Sequence, residues 1–139
     1  VTVISKWKVV VFDTDELFNR DLFDFLTEFV SPSELIRAAM MYYYHDESFF
    51  LDELAEDYNI DRMIDLGYDE SDAEEMSKTV EEAISLWLEG FYPQFIRLFD
   101  KLRKQKIYLF HKVRYSDRHD NIVFVFRRKR PDERFLPLY

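Results

Sequence analysis

Val3, Trp7, Val9 and Val11 fall on one face of an extended segment over residues 2–12. The unbroken run Val9-Val10-Val11-Phe12 predicts a strand buried on both sides at its end. From Asp13 the spacing becomes helical. Asp13 and Glu16 stand at capping-box distance, and Leu17, Phe18, Leu22, Phe25, Leu26 and Phe29 follow at helical intervals. Ser31-Pro32-Ser33-Glu34 is a second start signal, because Ser31 can cap, proline suits the first turn and Glu34 closes the box. The helix it opens carries Leu35, Ile36, Ala39, Met40 and Tyr43, and Phe50, Leu51, Leu54 and Tyr58 place a third over 48–58. Residues 59–70 are less regular, with one turn around Arg62–Leu66 ended by Gly67. Ser71 and Glu74 form another capping box, before a helix bearing Met76, Val80, Ala83, Ile84 and Trp87. Gly90 reads as its stop, and Pro93 as the start of a fifth helix with Phe95, Ile96, Leu98, Phe99 and Leu102.

The period changes again near residue 107. Ile107–Tyr115 and Ile122–Arg128 alternate on either side of the polar stretch 116–121, the signature of a β-hairpin with a longer loop. The expected fold is α+β: a small antiparallel sheet, made of the N-terminal strand plus the C-terminal hairpin, covered by four or five helices. Residues 1–139 read as one domain, acidic and mainly helical over 13–105, with a basic hairpin and tail over 106–139. Phe135, Leu136, Leu138 and Tyr139 in the tail are expected to dock on the body or on a partner.

Composition narrows the chemistry. There is no cysteine, so disulfides, thiolate nucleophiles and zinc–cysteine sites are excluded. Two glycines are too few for a glycine-rich phosphate cradle. The start, Val1-Thr2-Val3-Ile4-Ser5-Lys6-Trp7-Lys8, does not read as a signal peptide, and no apolar run approaches the roughly 20 residues of a membrane helix. A cytoplasmic location is therefore expected, that of the host if the source is viral. Charge is unevenly spread. Residues 101–139 hold 12 of the 19 Lys and Arg but only 4 of the 28 Asp and Glu, which leaves 7 cations against 24 acids in residues 1–100. Such a dipolar chain presents two faces suited to different partners.

One local motif points to catalysis. Val9-Val10-Val11-Phe12-Asp13-Thr14-Asp15 is an apolar strand ending in Asp-x-Asp, and it resembles the first motif of the haloacid-dehalogenase phosphatases. The resemblance implies Asp13 as nucleophile and Asp15 as acid-base beside Mg²⁺, with the helical middle as a cap. Tyr92–Phe110 followed by Lys129-Arg130-Pro131-Asp132 is loosely similar to that family's later core. The chain departs from the family where Glu16-Leu17 replaces the usual Gly-Thr. It departs again where Tyr108-Leu109-Phe110-His111 has no Ser or Thr at its end, and where no final acidic motif follows Lys129. Two carboxylates do not make the three or four that such magnesium chemistry requires.

The remaining candidates concern binding. His45, His111 and His119 lack metal-ligand spacing; His45 before Asp46-Glu47 reads as a helix end, and His111 as a core or cross-strand histidine. No metal or other cofactor is expected. Arg127-Arg128-Lys129-Arg130 follows the aromatic strand Phe124-Val125-Phe126, a combination that suits single-stranded nucleic acid or guards a sheet edge. Residues 46–75 contain thirteen acidic side chains with Arg62 the only cation. Carboxylates at that density need solvent or a cationic partner, and Asp52, Glu53, Glu56 and Asp57 represent that face.

The leading expectation is a non-enzymatic protein-interaction domain that regulates or inhibits a nucleic-acid-handling machine. Its concrete form is a phage- or mobile-element-encoded inhibitor of host RNA polymerase or another nucleic-acid-binding protein. The alternatives are a Mg²⁺-dependent phosphatase using Asp13 and Asp15, and a single-stranded nucleic-acid binder using the basic C-terminal strand.

Overall fold

The computed structural model describes residues 5–133; the first three residues of the expected strand, 2–4, and the apolar tail residues Phe135, Leu136, Leu138 and Tyr139 lie outside them. The chain runs through strand β1 (Trp7–Asp13), a 3₁₀ turn (Thr14–Glu16), and helices α1 (Arg20–Leu26), α2 (Pro32–His45), α3 (Phe49–Asp57), α4 (Ile60–Asp65) and α5 (Glu70–Gln105). Strands β2 (Tyr108–Ser116) and β3 (Asn121–Arg128) close it as a hairpin. The sheet is antiparallel in the order β1-β3-β2, so the N-terminal strand joins the C-terminal hairpin as the α+β reading expects.

Among the described residues, only one face of this sheet is covered. Phe12, Phe110, Val113, Ile122, Phe124 and Phe126 point into the core, where Phe99 of α5 packs on both Phe124 and Phe126 and Tyr44 of α2 packs on Phe126. The face shared by Trp7, Val9 and Val11 is the open one: these side chains are 44%, 53% and 56% exposed. A strand buried on both sides was expected from the run of valines. The structure corrects that, because β1 is an edge strand with helices on one side only, and alternation then sends every second valine to solvent.

The expected break at Gly90 does not occur. A single 36-residue helix runs from Glu70 to Gln105 with Pro93 inside it, and Asp69 caps it rather than Ser71. Glycine and proline in a helix interior cost about 1 and 3 kcal/mol relative to alanine. Against this, Val80, Trp87, Phe91, Phe95 and Phe99 are fully or almost fully buried on one stripe of α5, at roughly 1.5–3 kcal/mol each. Burial wins. Pro93 is on the exposed side, and Gly90 serves close approach, since a Cβ there would lie 1.8 Å from the ring of Phe18. The first helix is also shorter than expected: Asp13 caps the 3₁₀ turn, and Asn19 in the left-handed region caps α1. Elsewhere the boundaries follow the signals, with Pro32 opening α2 and Gly67 at a positive φ just beyond α4, but the Ser31 side chain makes no capping hydrogen bond.

The two sheet edges are treated differently. Along β2, the end of α2 supplies partners for the groups that do not face β3. The Phe110 amide donates to Nε2 of buried His45 at 3.0 Å, and the Tyr44 hydroxyl donates to the Tyr108 carbonyl at 2.8 Å. Arg103 of α5 donates in turn to the Tyr44 carbonyl, fixing the end of α2. Burial pushes the Tyr44 hydroxyl well above its ordinary value and that of Tyr43 up to about 12, so both remain neutral donors. A bulge between Phe110 and Lys112 disrupts the rest of this edge.

Removing the imidazole should therefore be costly. His45→Ala leaves a buried Phe110 amide without its acceptor, at about 1–3 kcal/mol, whereas Tyr44→Phe should lose about 1 kcal/mol. Urea denaturation followed by circular dichroism measures both. Equal, negligible losses would mean that the β2 edge does not depend on α2.

Candidate interaction surfaces

The Asp-x-Asp segment is built into the fold as a corner. Asp13 ends β1 and its carboxylate accepts the Asp15 amide at 3.0 Å, closing the 3₁₀ turn. Thr14 between them is buried, and its amide donates to the Asp120 carbonyl of the hairpin loop at 3.0 Å. Arg20 donates to the Thr14 carbonyl at 2.9 Å. From α5, the largely buried Gln94 accepts the Phe18 amide and donates to the Glu16 carbonyl, at 3.1 and 2.6 Å. Asp13 and Asp15 are both exposed at this corner. Among the described residues no three His, Asp or Glu side chains lie close enough together to hold a metal ion.

The histidines are dispersed. His45 ends α2, as expected, but it is buried and accepts a strand amide, a role that only the packing of α2 on β2 reveals. His111 is not in the core: it is exposed beside the β2 bulge, with its ring 5.3 Å from that of Trp7 on the open face. His119 is exposed in the hairpin loop, its amide donating to the Ser116 hydroxyl.

The basic strand is partly neutralised by its own chain. Glu133 takes a forked pair of hydrogen bonds from Arg127, at 2.9 and 2.6 Å, and one from the Arg130 side chain at 2.9 Å. The Arg130 amide donates to the same carboxylate, while Lys129 donates to the carbonyls of Arg130 and Glu133. These bonds, with Arg127 foremost, hold the Glu133 carboxyl far below the usual carboxylate range. Lys6, Arg127, Arg128, Lys129, Arg130 and Pro131 line a shallow groove of about 500 Å³ around this turn. The four cations are visible in the sequence; the carboxylate that closes the loop is not, because nothing local marks Glu133 as a partner of Arg127.

The acidic side is different. Twelve of the thirteen acids in 46–75 are exposed, and only Glu47 is half-buried. On α3, Leu51 and Leu54 are buried while Asp52, Glu53, Glu56 and Asp57 face outward, and none of the four makes an ion pair with a described residue. Glu53 and Asp57, one turn apart, join Glu34 of α2 around a cleft of about 220 Å³. Its walls include Ala38, Leu54 and Phe50, and the Arg37 guanidinium stacks 4.4 Å from the Phe50 ring. Asp52 and Glu56 occupy the adjoining strip of the helix. In the first turns of α5, Asp69 caps through the Asp72 amide at 2.8 Å and Glu74 pairs weakly with Lys78 at 3.7 Å.

No protein-family model, curated protein or solved structure matches the chain. Among the described residues, no helix is long and apolar enough to cross a membrane.

Two measurements follow from these sites. Asp13→Asn preserves a good capping side chain and should lower stability by about 1 kcal/mol or less in a thermal melt. Neither protein should hydrolyse generic phosphate esters with Mg²⁺; turnover that vanishes in the variant would put catalysis at Asp13. The second measurement concerns pH. A carboxyl whose folded pKa is depressed contributes stability above its unfolded value, near 4.5, and loses that contribution as pH falls through the folded value. Glu133 should therefore remain ionised in a side-chain NMR titration carried well below pH 4.5. A midpoint near 4.5 would mean the Arg127 fork does not persist in solution.

Proposed function

We propose that this chain is a non-enzymatic protein-interaction domain whose acidic helical surface docks on the cationic surface of a larger protein and thereby regulates or inhibits it. The observation that carries this reading is the set Asp52, Glu53, Glu56 and Asp57 on α3, fully outward and without ion pairs among the described residues, continued by Glu34 across the cleft. Folding does not account for these carboxylates, since α3 is held by Leu51 and Leu54. Unpaired like charges at helical spacing repel by a few tenths of a kcal/mol per pair, a cost relieved when a cationic partner covers them. A cationic surface large enough to engage such a face is the kind that otherwise binds nucleic acid. The partner class is therefore a nucleic-acid-handling machine, with host RNA polymerase as the concrete case for a phage- or mobile-element-encoded inhibitor. The basic hairpin, about which the chain's cations concentrate, could contact an acidic element of the same target.

The nucleic-acid-binding alternative is weakened by Glu133, which engages two of the four cations it would use. The phosphatase alternative has only the exposed corner of Asp13 and Asp15 to work with.

The test uses RNA polymerase as immobilised partner. Changing Asp52, Glu53, Glu56 and Asp57 together to Asn or Gln should alter fold stability by well under about 0.5 kcal/mol per site. It should slow association and flatten the dependence of the on-rate on salt, because exposed charges act mainly on encounter. DNA should compete with the unmodified chain for the polymerase. Identical kinetics with the fold preserved would mean that this face is only solvated.

A further inference from the structure

Among the described residues, the edge of the sheet opposite α2 has no such cover. The Lys6 carbonyl bonds to the Arg128 amide and the Thr14 amide to the Asp120 carbonyl, so even-numbered positions of this segment face β3. Backbone groups alternate in an antiparallel ladder, so the amides and carbonyls of Trp7, Val9, Val11 and Asp13 point to the free side. Among the described residues none of these groups finds a backbone partner there, and β1 is the last strand of the sheet. It carries no proline, bulge or covering helix, the devices that normally blunt an edge, whereas β2 has both a bulge and the side chains of α2. Its residues are strongly β-forming, and its outer face is apolar.

The charges around β1 select an occupant. Exposed Lys6 and Lys8 stand at its beginning, and exposed Asp13, Asp15 and Glu16 at and beyond its end. An antiparallel copy of the same strand, related by a two-fold axis through Val10, lays each basic end against the other's acidic end. In that register Trp7 faces Asp13 of the second copy, Lys8 faces Phe12, Val9 faces Val11, and Val10 faces itself. No like charges oppose each other. The register also pairs odd positions with odd positions, the ones whose amides and carbonyls are free, and keeps the apolar faces of the two sheets on the same side.

We propose that two copies of this chain associate through β1, forming a continuous six-stranded antiparallel sheet with a two-fold axis at Val10. The interface is isologous, so it closes at a dimer and leaves neither β1 edge exposed. The acidic surface of α3 lies outside the pairing strands, so this association stands or falls independently of the partner proposed for that surface.

Sedimentation equilibrium of the full chain over a range of concentrations is the primary test. A dimer of about twice the 17.0 kDa chain mass is expected. Val9→Pro removes an amide that faces the free edge and leaves the β1–β3 ladder its bonds, so it should give a folded monomer, with folding checked by circular dichroism. Val10→Cys gives the chain its one cysteine at the position that faces itself across the two-fold axis, so mild oxidation should yield a disulfide-linked dimer, a readout that does not depend on whether the proline variant folds. A monomer at every concentration overturns the proposal and leaves the edge to a strand from another protein. A dimer that persists in folded Val9→Pro, or a Val10→Cys dimer that does not cross-link, also overturns it, because the contact would then lie elsewhere.

Discussion

The packing of α5 against the inner face of the sheet organises the molecule. Phe95 and Phe99 bring the long helix onto Tyr44, Phe124 and Phe126, while Phe91 and Trp87, one and two turns before Phe95, carry the same stripe toward Phe23 of α1. A three-stranded sheet without a covering layer is barely stable in water, so burial of its aromatic face is the condition for β1, β2 and β3 to associate at all. Once α5 lies there, α2 can occupy only the side over β2. Its terminal Tyr44 and His45 then reach the backbone of that strand. The asymmetry of the sheet follows: among the described residues one edge is closed by side chains of α2 and the other is left bare.

The same arrangement separates the charges. The helices α3, α4 and the start of α5 precede the hairpin in the chain, and with Leu51, Leu54, Met63 and Ala73 buried their carboxylates lie on the solvent side, beside exposed Phe49, Ile60 and Ile64. The hairpin concentrates cations, but its cations are not equivalent to an open basic patch. Glu133 folds back on Arg127 and Arg130, and a bidentate, partly shielded pair of this kind is less available to an outside phosphate than a free guanidinium. Net charge by segment therefore overstates the cationic character of this region, while it describes the acidic side faithfully.

Much of the fold was legible along the chain. The change of period at Ile107, the proline-led start of α2, the glycine after α4 and the α+β pairing of the first strand with the hairpin all stand in the structure, because each rests on a local steric rule or on a face that must be buried. The exposure of the α3 carboxylates was legible for the same reason: once Leu51 and Leu54 define the inner side, the other positions are outside. The continuity of α5 was not. Gly90 and Pro93 are correct stop signals locally, and a stripe of aromatic side chains overrides them at a cost smaller than the burial it secures.

What the amino-acid sequence determined by itself is the three strands and the places of most helices, the acidic and basic segments and the absence of thiol chemistry. These depend on neighbours a few residues apart or on counting. Tertiary structure alone decided which face of β1 is open, that His45 satisfies a strand amide, that Gln94 ties the Asp-x-Asp corner to α5, and that Glu133 claims Arg127. Of these, His45 and Gln94 join residues 65 and 76 positions apart, and the open face of β1 follows from helices that arrive much later in the chain. Alternating valines look the same whether one side of a strand is covered or two. The difference is made by the packing of α5 and α2, and no pattern within β1 records it.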